Sequence, residues 1–533
     1  MKFIHLPFHP FGHGQAPSQK LPLSLLHLPN ELVLLIYEYL GEDELYSLSL
    51  VCRRLHHSAL PICLVRCGLF KSSVSPEKLV LFVNKALSPK QKRGLLRLRT
   101  SLDITSVKRI TCELDYPLSA FFAEVRNLHR LMEKLTSMEE VILEFTDTFW
   151  SLWKVAKAMD WDKWICLFFA LLGTAASKCS ILTLRQRGFF PNSQIIRPGG
   201  SRHKTSTISR PITTIDKIVG LVVGKPSFSR SIRREPTNRP DTRDGPTRSP
   251  NTTTLNTLVI ASSALLHSPF LPWTIETLNN SPITTLSIDS INLISGEWSD
   301  ILPIITLPTL SVLSIDSCFI ALADLSAFLS RHPNLTILNI GAGMVDLALS
   351  IQPSLPNLLP QLITLSAPKN YAVQFLTSAH AFPRLRFLTI ISHVALASDF
   401  AAIEQTASIA ARQLTNIVLS LELHVHTCNW LDTDSDAGLG ISGANTLAQR
   451  VTSLVIKAGW CGLEKHARDR LPSWLTRFCA LETLTFVDQS RWPLDVQVKM
   501  TFIRSIGAAC PGVKTVVVNG KRYGARVVAR DVN

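Results

Sequence analysis

Three clusters of residues have the types and spacing that chemistry would need. His56 and His57 lie just ahead of Cys63 and Cys67, and two imidazoles beside a Cys-x-x-x-Cys pair can supply the four ligands of a tetrahedral zinc ion. Their spacing matches no closed zinc module, so the expectation is histidines on the exposed side of a helix and cysteines packed beneath it. His424, His426 and Cys428 alternate, which on a strand points all three to one face; a packed or solvated face is expected there. Asp432, Asp434 and Asp436 are spaced like the opening of a calcium loop, yet the twelfth position is Gly443 where a bidentate Glu is required. The sequence holds no glycine-rich phosphate loop, no GxSxG elbow and no HExxH helix. The expectation is a chain without catalytic residue, metal or cofactor, whose work is recognition.

Composition narrows the class. Of 533 residues, 46% are hydrophobic and 18% charged, enough apolar material for a sizeable core. Lys and Arg number 55 against 40 Asp and Glu, a net charge of +15, but 14 basic and 4 acidic residues fall between Arg185 and Arg248. An evenly basic chain would point to nucleic acid or an acidic membrane; here the excess is local. Eleven cysteines, odd in number and mostly isolated, fit a reducing compartment in which Cys behaves as a small buried hydrophobe. The opening MKFIHLPFHPFGHGQAPSQK lacks the unbroken apolar run of a secretory signal. Trp164 to Ala176 is apolar but well short of the roughly 20 residues of a spanning helix, and reads as a buried helix. A cytoplasmic or nuclear protein without membrane contact is expected.

The first element is helical. In Leu28 to Leu40 (LPNELVLLIYEYL), Leu32, Leu35, Ile36, Tyr39 and Leu40 follow the spacing of one helical face. Asn30 is placed to cap this helix, Gly41 to stop it and Asp43 to cap the next. Leu45, Leu48, Cys52, Leu55 and Ala59 continue the pattern until Pro61 blocks further helix. A break near Ser49 gives three short helices, too small a unit to be stable without leaning on a following domain or a partner.

The run Leu28-Pro29, Glu31-Leu32, Ile36, Tyr39-Leu40, Asp43, Leu45, Leu48, Val51-Cys52-Arg53 and Leu55 resembles an F-box. The resemblance implies docking onto a Skp-type adaptor, and so onto a cullin-RING ubiquitin ligase. The residues it assigns to the adaptor are Leu28, Pro29, Leu32, Ile36, Leu40, Leu45, Leu48, Val51, Cys52 and Leu55. The Trp often found after the third F-box helix has no counterpart in Pro61-Ile62-Cys63-Leu64.

Further on, apolar-x-x-apolar-x-apolar recurs as Leu255-Leu258-Ile260, Ile283-Leu286-Ile288, Leu310-Leu313-Ile315, Leu335-Leu338-Ile340, Leu362-Leu365-Ala367, Leu385-Leu388-Ile390, Leu414-Ile417-Leu419, Val451-Leu454-Ile456, Leu481-Leu484-Phe486 and Val513-Val516-Val518. Proline stands two residues ahead of the motif at Pro308, Pro333, Pro360, Pro383 and Pro511. Earlier strands of the same type are Val107-Ile110-Cys112, Met138-Val141-Leu143 and Cys179-Leu182-Leu184, with a helix over Phe121 to Leu135. Helical faces also appear at Leu322, Leu325, Phe328 and Leu329, over Ala401 to Ala410, and at Val498, Phe502, Ile503 and Ile506. A strand and helix that repeat cannot bury their apolar sides alone, so neighbours stack into a parallel solenoid. This pattern resembles degenerate leucine-rich repeats of the kind that follows an F-box in fungal proteins; the Asn or Cys that closes a repeat is mostly missing, with Cys318 the best match.

The expected fold is α/β: a tail over 1–24 without order, a three-helix F-box at 25–67, leucine-rich-repeat-like blocks at 100–185 and 255–520, a disordered basic insertion at 186–254, and a tail at 521–533. Within the insertion the stretch SRSIRREPTNRPDTRDGPTRSPNTTT has almost no apolar residues to offset its ordering entropy and no aromatic residue for base stacking, so nucleic acid is not the expected partner. Residues between the buried strand positions, namely Ser287, Asp289, Ser314, Asp316, Asn339, Thr389, Lys457 and Thr485, are candidates for binding a target protein. The expected function is target recognition for a ubiquitin ligase, with a protein-binding scaffold acting without a ligase as the competing reading.

Overall fold

Apolar residues on more than one side of the first helix, followed by acids and then a long mixed run, produce helices α1 (Asn30–Tyr39), α2 (Glu42–Ser49) and α3 (Arg53–Arg66). The computed structural model describes residues 25–69, 80–83, 87–114, 118–146, 161–187, 253–341, 358–376, 382–394, 418–425, 450–458, 465–476, 478–488 and 495–524. The expected tail at 1–24, nearly all of the expected insertion and the helix over Ala401 to Ala410 lie outside these residues. Residues 1–189 with 252–533 make one compact unit and 190–251 a second; all the described helices and strands belong to the first.

The break after Ser49 falls where the spacing requires it, but the caps differ. Pro29 holds the cap position of α1, its carbonyl accepting from Val33 N–H at 3.1 Å, and Asn30 Oδ1 accepts from Arg54 at 2.9 Å instead. Gly41, not Asp43, precedes α2. Pro61 does not end α3 but lies inside it, on an exposed position. A proline within a helix costs roughly 3 kcal/mol; here Leu60, Cys63 and Leu64, all buried beside it, oppose that cost.

Fifteen strands then pair in strict chain order among the described residues: β1 (Val80–Val83), β2 (Ser106–Leu114), β3 (Ser137–Thr146), β4 (Cys179–Arg187), β5 (Thr257–Ala261), β6 (Thr285–Asp289), β7 (Val312–Asp316), β8 (Ile337–Ile340), β9 (Thr364–Pro368), β10 (Phe387–Val394), β11 (Val418–Val425), β12 (Val451–Ala458), β13 (Thr483–Asp488), β14 (Thr515–Val518) and β15 (Lys521–Gly524). Neighbours are parallel from β1 to β14. Connections carry α4 (Pro89–Leu98), α5 (Leu118–Lys134), α6 (Trp161–Lys178), α7 (Leu271–Asn280), α8 (Ser295–Ile301), α9 (Leu322–Ser330), α10 (Lys369–Leu376), α11 (Lys465–Leu475) and α12 (Val496–Ala509), the crossovers that parallel pairing demands. Among the described residues no helix is long and apolar enough to cross a membrane; α6 buries Phe168, Leu171, Leu172 and Ala175 in the core.

From β2 to β10 the middle residue of the strand motif forms one unbroken buried ladder, Ile110, Val141, Leu182, Leu258, Leu286, Leu313, Leu338, Leu365 and Leu388, which continues onto Leu419 of β11. The prolines have a local cause. Each sits second in a turn closed by the motif's first residue, as in Leu310 N–H to Leu307 O at 3.1 Å and Val513 N–H to Cys510 O at 3.0 Å, where its fixed φ favours the turn.

Three boundaries differ from expectation. The sheet begins at Val80, not near residue 100, because β1 pairs with β2. In β11 the equivalent of Leu388 is Leu419 and that of Ile390 is Leu421, so the expected triplet Leu414-Ile417-Leu419 is displaced by two residues. A slip of two keeps the same side chains on the buried face. Residues 521–524 are a strand rather than tail: Asn519 and Gly520 both take positive φ, 48° and 80°, as in the two-residue hairpin turns that reverse a strand, and β15 returns antiparallel on β14.

His332 closes the turn after α9. Its Nδ1 lies 2.7 Å from Phe328 O and its Nε2 3.2 Å from the Leu307 N–H; the second contact requires an unprotonated Nε2, so the ring is neutral with its proton on Nδ1. Burial, with Arg331 adding to it, holds its pKa below the ordinary 6.5. The unfolded chain therefore binds this proton more readily, and the stabilisation from neutral His332 is complete above pH 6.5 and lost as pH falls below it. In urea titrations from pH 8 to pH 5, His332→Gln is expected to start less stable than wild type and to lose less on acidification; parallel losses would contradict the assignment.

Candidate functional site

Helix α1 is apolar on two sides, and each side has a different fate. Val33 and Tyr37, one turn apart, join Leu45, Leu55, Ala59, Cys63 and Cys67 in a small core. The Tyr37 hydroxyl shares a hydrogen bond with Ser58 at 2.8 Å. Two arginines of α3 hold the ends of α1: Arg54 donates to Leu28 O at 2.7 Å, and Arg66 donates to Tyr37 O at 2.9 Å and to Leu40 O. Opposite this core, Leu32, Leu34, Leu35 and Tyr39 remain 47%, 49%, 51% and 89% exposed, and in the α2–α3 turn Leu50 and Val51 remain 58% and 66% exposed. Large apolar side chains left in water in such number mark an interaction surface.

Of the residues assigned to the adaptor, Pro29, Leu32 and Val51 are exposed, and Leu28, Ile36, Leu40, Leu48 and Cys52 are half-buried. Leu45 and Leu55 are not available. They are 0% and 2% exposed, because part of the leucine periodicity that the resemblance assigns to docking builds the inner core of so small a bundle. Leu34, Leu35, Tyr39 and Leu50 are exposed although the F-box resemblance does not assign them; Leu35 and Tyr39 already stand on the periodic face of α1.

Residues 25–67 match the F-box-like family. This segment is an F-box-like domain. Such domains bind Skp-type adaptors in cullin-RING ligases, and the exposed face of α1 is where this one leaves apolar surface open. No curated protein matches the chain at a significant level.

The side of the sheet away from the buried ladder carries the residues considered for target binding. Ser287, Ser314, Asn339 and Thr389 fall in one cross-strand row with Ser366, which holds the same place in its motif, and with Ser420, which the displaced motif of β11 does not point to; Asn339 donates to Ser314 Oγ at 3.1 Å. Asp289 and Asp316 stand side by side two positions on. Burial, and next the repulsion of Asp316, push the Asp289 carboxyl above the usual range despite a bond from Ser290. Lys457 does not stand alone. It and His424 both contact Glu422 at 2.6 Å, and although burial alone would raise it, these bonds hold the Glu422 carboxyl below its ordinary value. Thr485 lies opposite Val455. The row of hydroxyl and amide groups is thus continuous, while the charged residues sit in separate places.

The four residues weighed for zinc separate. His56 is buried, contrary to the expected exposure: its Nδ1 meets Ser49 O at 2.8 Å and its Nε2 accepts from Leu102 N–H at 3.0 Å, so it ties α3 to the chain after α4. His57 is exposed and meets Asp103 at 2.6 Å. Cys63 and Cys67 pack as expected. Burial, opposed by Arg97, pushes the Cys63 thiol up to about 11, which makes it a poor nucleophile at neutral pH. His426, Cys428 and the Asp432 to Asp436 run lie outside the described residues. Among the described residues no group of three His, Cys, Asp or Glu is placed to hold a metal ion.

Proposed function

We propose that this chain is a non-catalytic target-recognition subunit of a Skp-cullin-F-box ubiquitin ligase, working in the cytoplasm or nucleus. The observation that carries the reading is the exposed apolar side of α1 on a segment that matches the F-box-like family. On this reading the sheet is a leucine-rich-repeat-like solenoid of the irregular type that follows fungal F-boxes. In support, Leu286-Ser287-Ile288-Asp289-Ser290 and Leu313-Ser314-Ile315-Asp316-Ser317 repeat and align in register, and Ile291 and Cys318 are each buried at the closing position. The open row through Ser287 and Thr389 binds a target protein, and ubiquitin transfer follows from holding an acceptor lysine close to the charged enzyme. Catalytic groups, metal and cofactor have no part in this mechanism, nor do nucleic acid or membrane.

The test is capture of a Skp-type adaptor by the full chain. Recovery of the adaptor with wild type and its loss on deleting 25–67 are expected; no recovery with wild type would leave the competing reading, a scaffold that binds proteins without a ligase.

A further inference from the structure

The docking helices are not hung on a free linker. Helix α3 belongs to two cores at once: Leu55, Ala59 and Cys63 face the inner core of the F-box-like domain, while Leu60 and Leu64 join the main core with Leu81, Leu98 and Val107. Across the α3–α4 junction the helices approach closely, since a Cβ at Gly94 would lie 2.8 Å from Cys67 Cβ and 2.9 Å from Leu69 Cδ1.

Into this junction α4 sends Arg97, with a side chain only 7% exposed. Its guanidinium donates to Glu42 O at 3.1 Å and to Asp43 Oδ1, reaches Cys63 Sγ at 3.3 Å and Cys67 Sγ at 3.6 Å, and lies 5.0 Å from the centre of the Tyr46 ring. One planar fork thereby holds α2 and α3 against α4, a geometry that the single ammonium of lysine cannot reproduce. The neighbouring pairs Lys90 with Glu42 and His57 with Asp103 are solvent-facing, and ion pairs of that kind contribute little.

We propose that Arg97 is a positioning residue: it fixes the angle at which the docking face of α1 is held relative to the sheet, so that adaptor and target surfaces move as one rigid body. The significance of the docking face rests on the ligase reading above; the rigidity does not.

The experiment uses the full chain with spin labels on unnatural amino acids at Glu38 of α1 and Asp300 of α8, both exposed, and records the distance distribution between them together with adaptor affinity. Wild type is expected to give a single narrow distance. Arg97→Met, which keeps the stem but removes the fork, is expected to give a broadened distribution at unchanged adaptor affinity, and Arg97→Lys is expected not to restore the narrow one. An Arg97→Met or Arg97→Lys distribution as narrow as that of wild type, or a broad one in wild type itself, overturns the proposal. Should Arg97→Met fail to fold, Asp43→Ala removes one contact from an exposed carboxylate: broadening supports the proposal and an unchanged distribution overturns it. If wild type captures no adaptor, the ligase reading falls while the distance result still decides the role of Arg97.

Discussion

Leu32→Asp/Leu35→Asp is expected to abolish adaptor capture while leaving the chain folded. Both leucines are about half exposed in the free protein, so their replacement removes little from its own core, and surface substitutions of this kind usually change stability by no more than ~0.5 kcal/mol. In a complex each leucine would be buried, which is worth roughly 1.5–3 kcal/mol, and each new carboxylate would have to be stripped of water. Because only about half of each leucine is left to bury, losing the two side chains comes to about 1.5–3 kcal/mol, a fall of roughly 10- to 100-fold in affinity before the cost of the carboxylates is added. The measurement is adaptor titration by calorimetry beside a thermal melt. An unchanged affinity would move the docking surface away from α1, and a collapsed melt would show that this face is part of the core after all.

The second large effect concerns the main core. Phe168 of α6 is 0% exposed and meets Phe145 of β3 edge-on at 5.7 Å and Phe270, ahead of α7, at 5.4 Å. It therefore joins segments that precede residue 188 to segments that follow residue 252. Phe168→Ala removes both aromatic contacts and leaves a cavity that three different segments would have to collapse to fill. Truncations of this type cost about 3–5 kcal/mol, read as a lower urea midpoint in the transition monitored by circular dichroism. A change below about 1 kcal/mol would mean that the two parts of the sheet do not pack through this ring.

How legible these features are depends on which physics sets them. The buried ladder from Ile110 to Leu388 can be read from spacing alone, because a residue buried in the core on every strand has to be apolar and strand pairing in chain order repeats the requirement. The prolines at 308, 333, 360, 383 and 511 are visible in the sequence as a marker, although their place in a turn is not. The displacement at β11 is not legible, since Leu419, Leu421 and Leu423 are all buried and alternation alone cannot say which of them continues the row. Nor can periodicity separate the two apolar sides of α1: Val33 and Tyr37 lie off the strongest stripe and yet form the inner core, while Leu32, Leu35 and Tyr39 of that stripe stay in water. The burial of His56 and Arg97 depends on contacts 46 to 55 residues apart, which no local pattern records.

The reversal at Asn519-Gly520 bears on solubility. Had the chain stopped at Val518, the last parallel strand would have offered an uncovered row of backbone donors and acceptors to any second molecule, the template from which edge-to-edge aggregation grows. Instead β15 covers that row with Lys521 and Arg522, both exposed. Like charges brought together at such an end repel, so this boundary discourages the protein from lengthening into a fibre with its own copies.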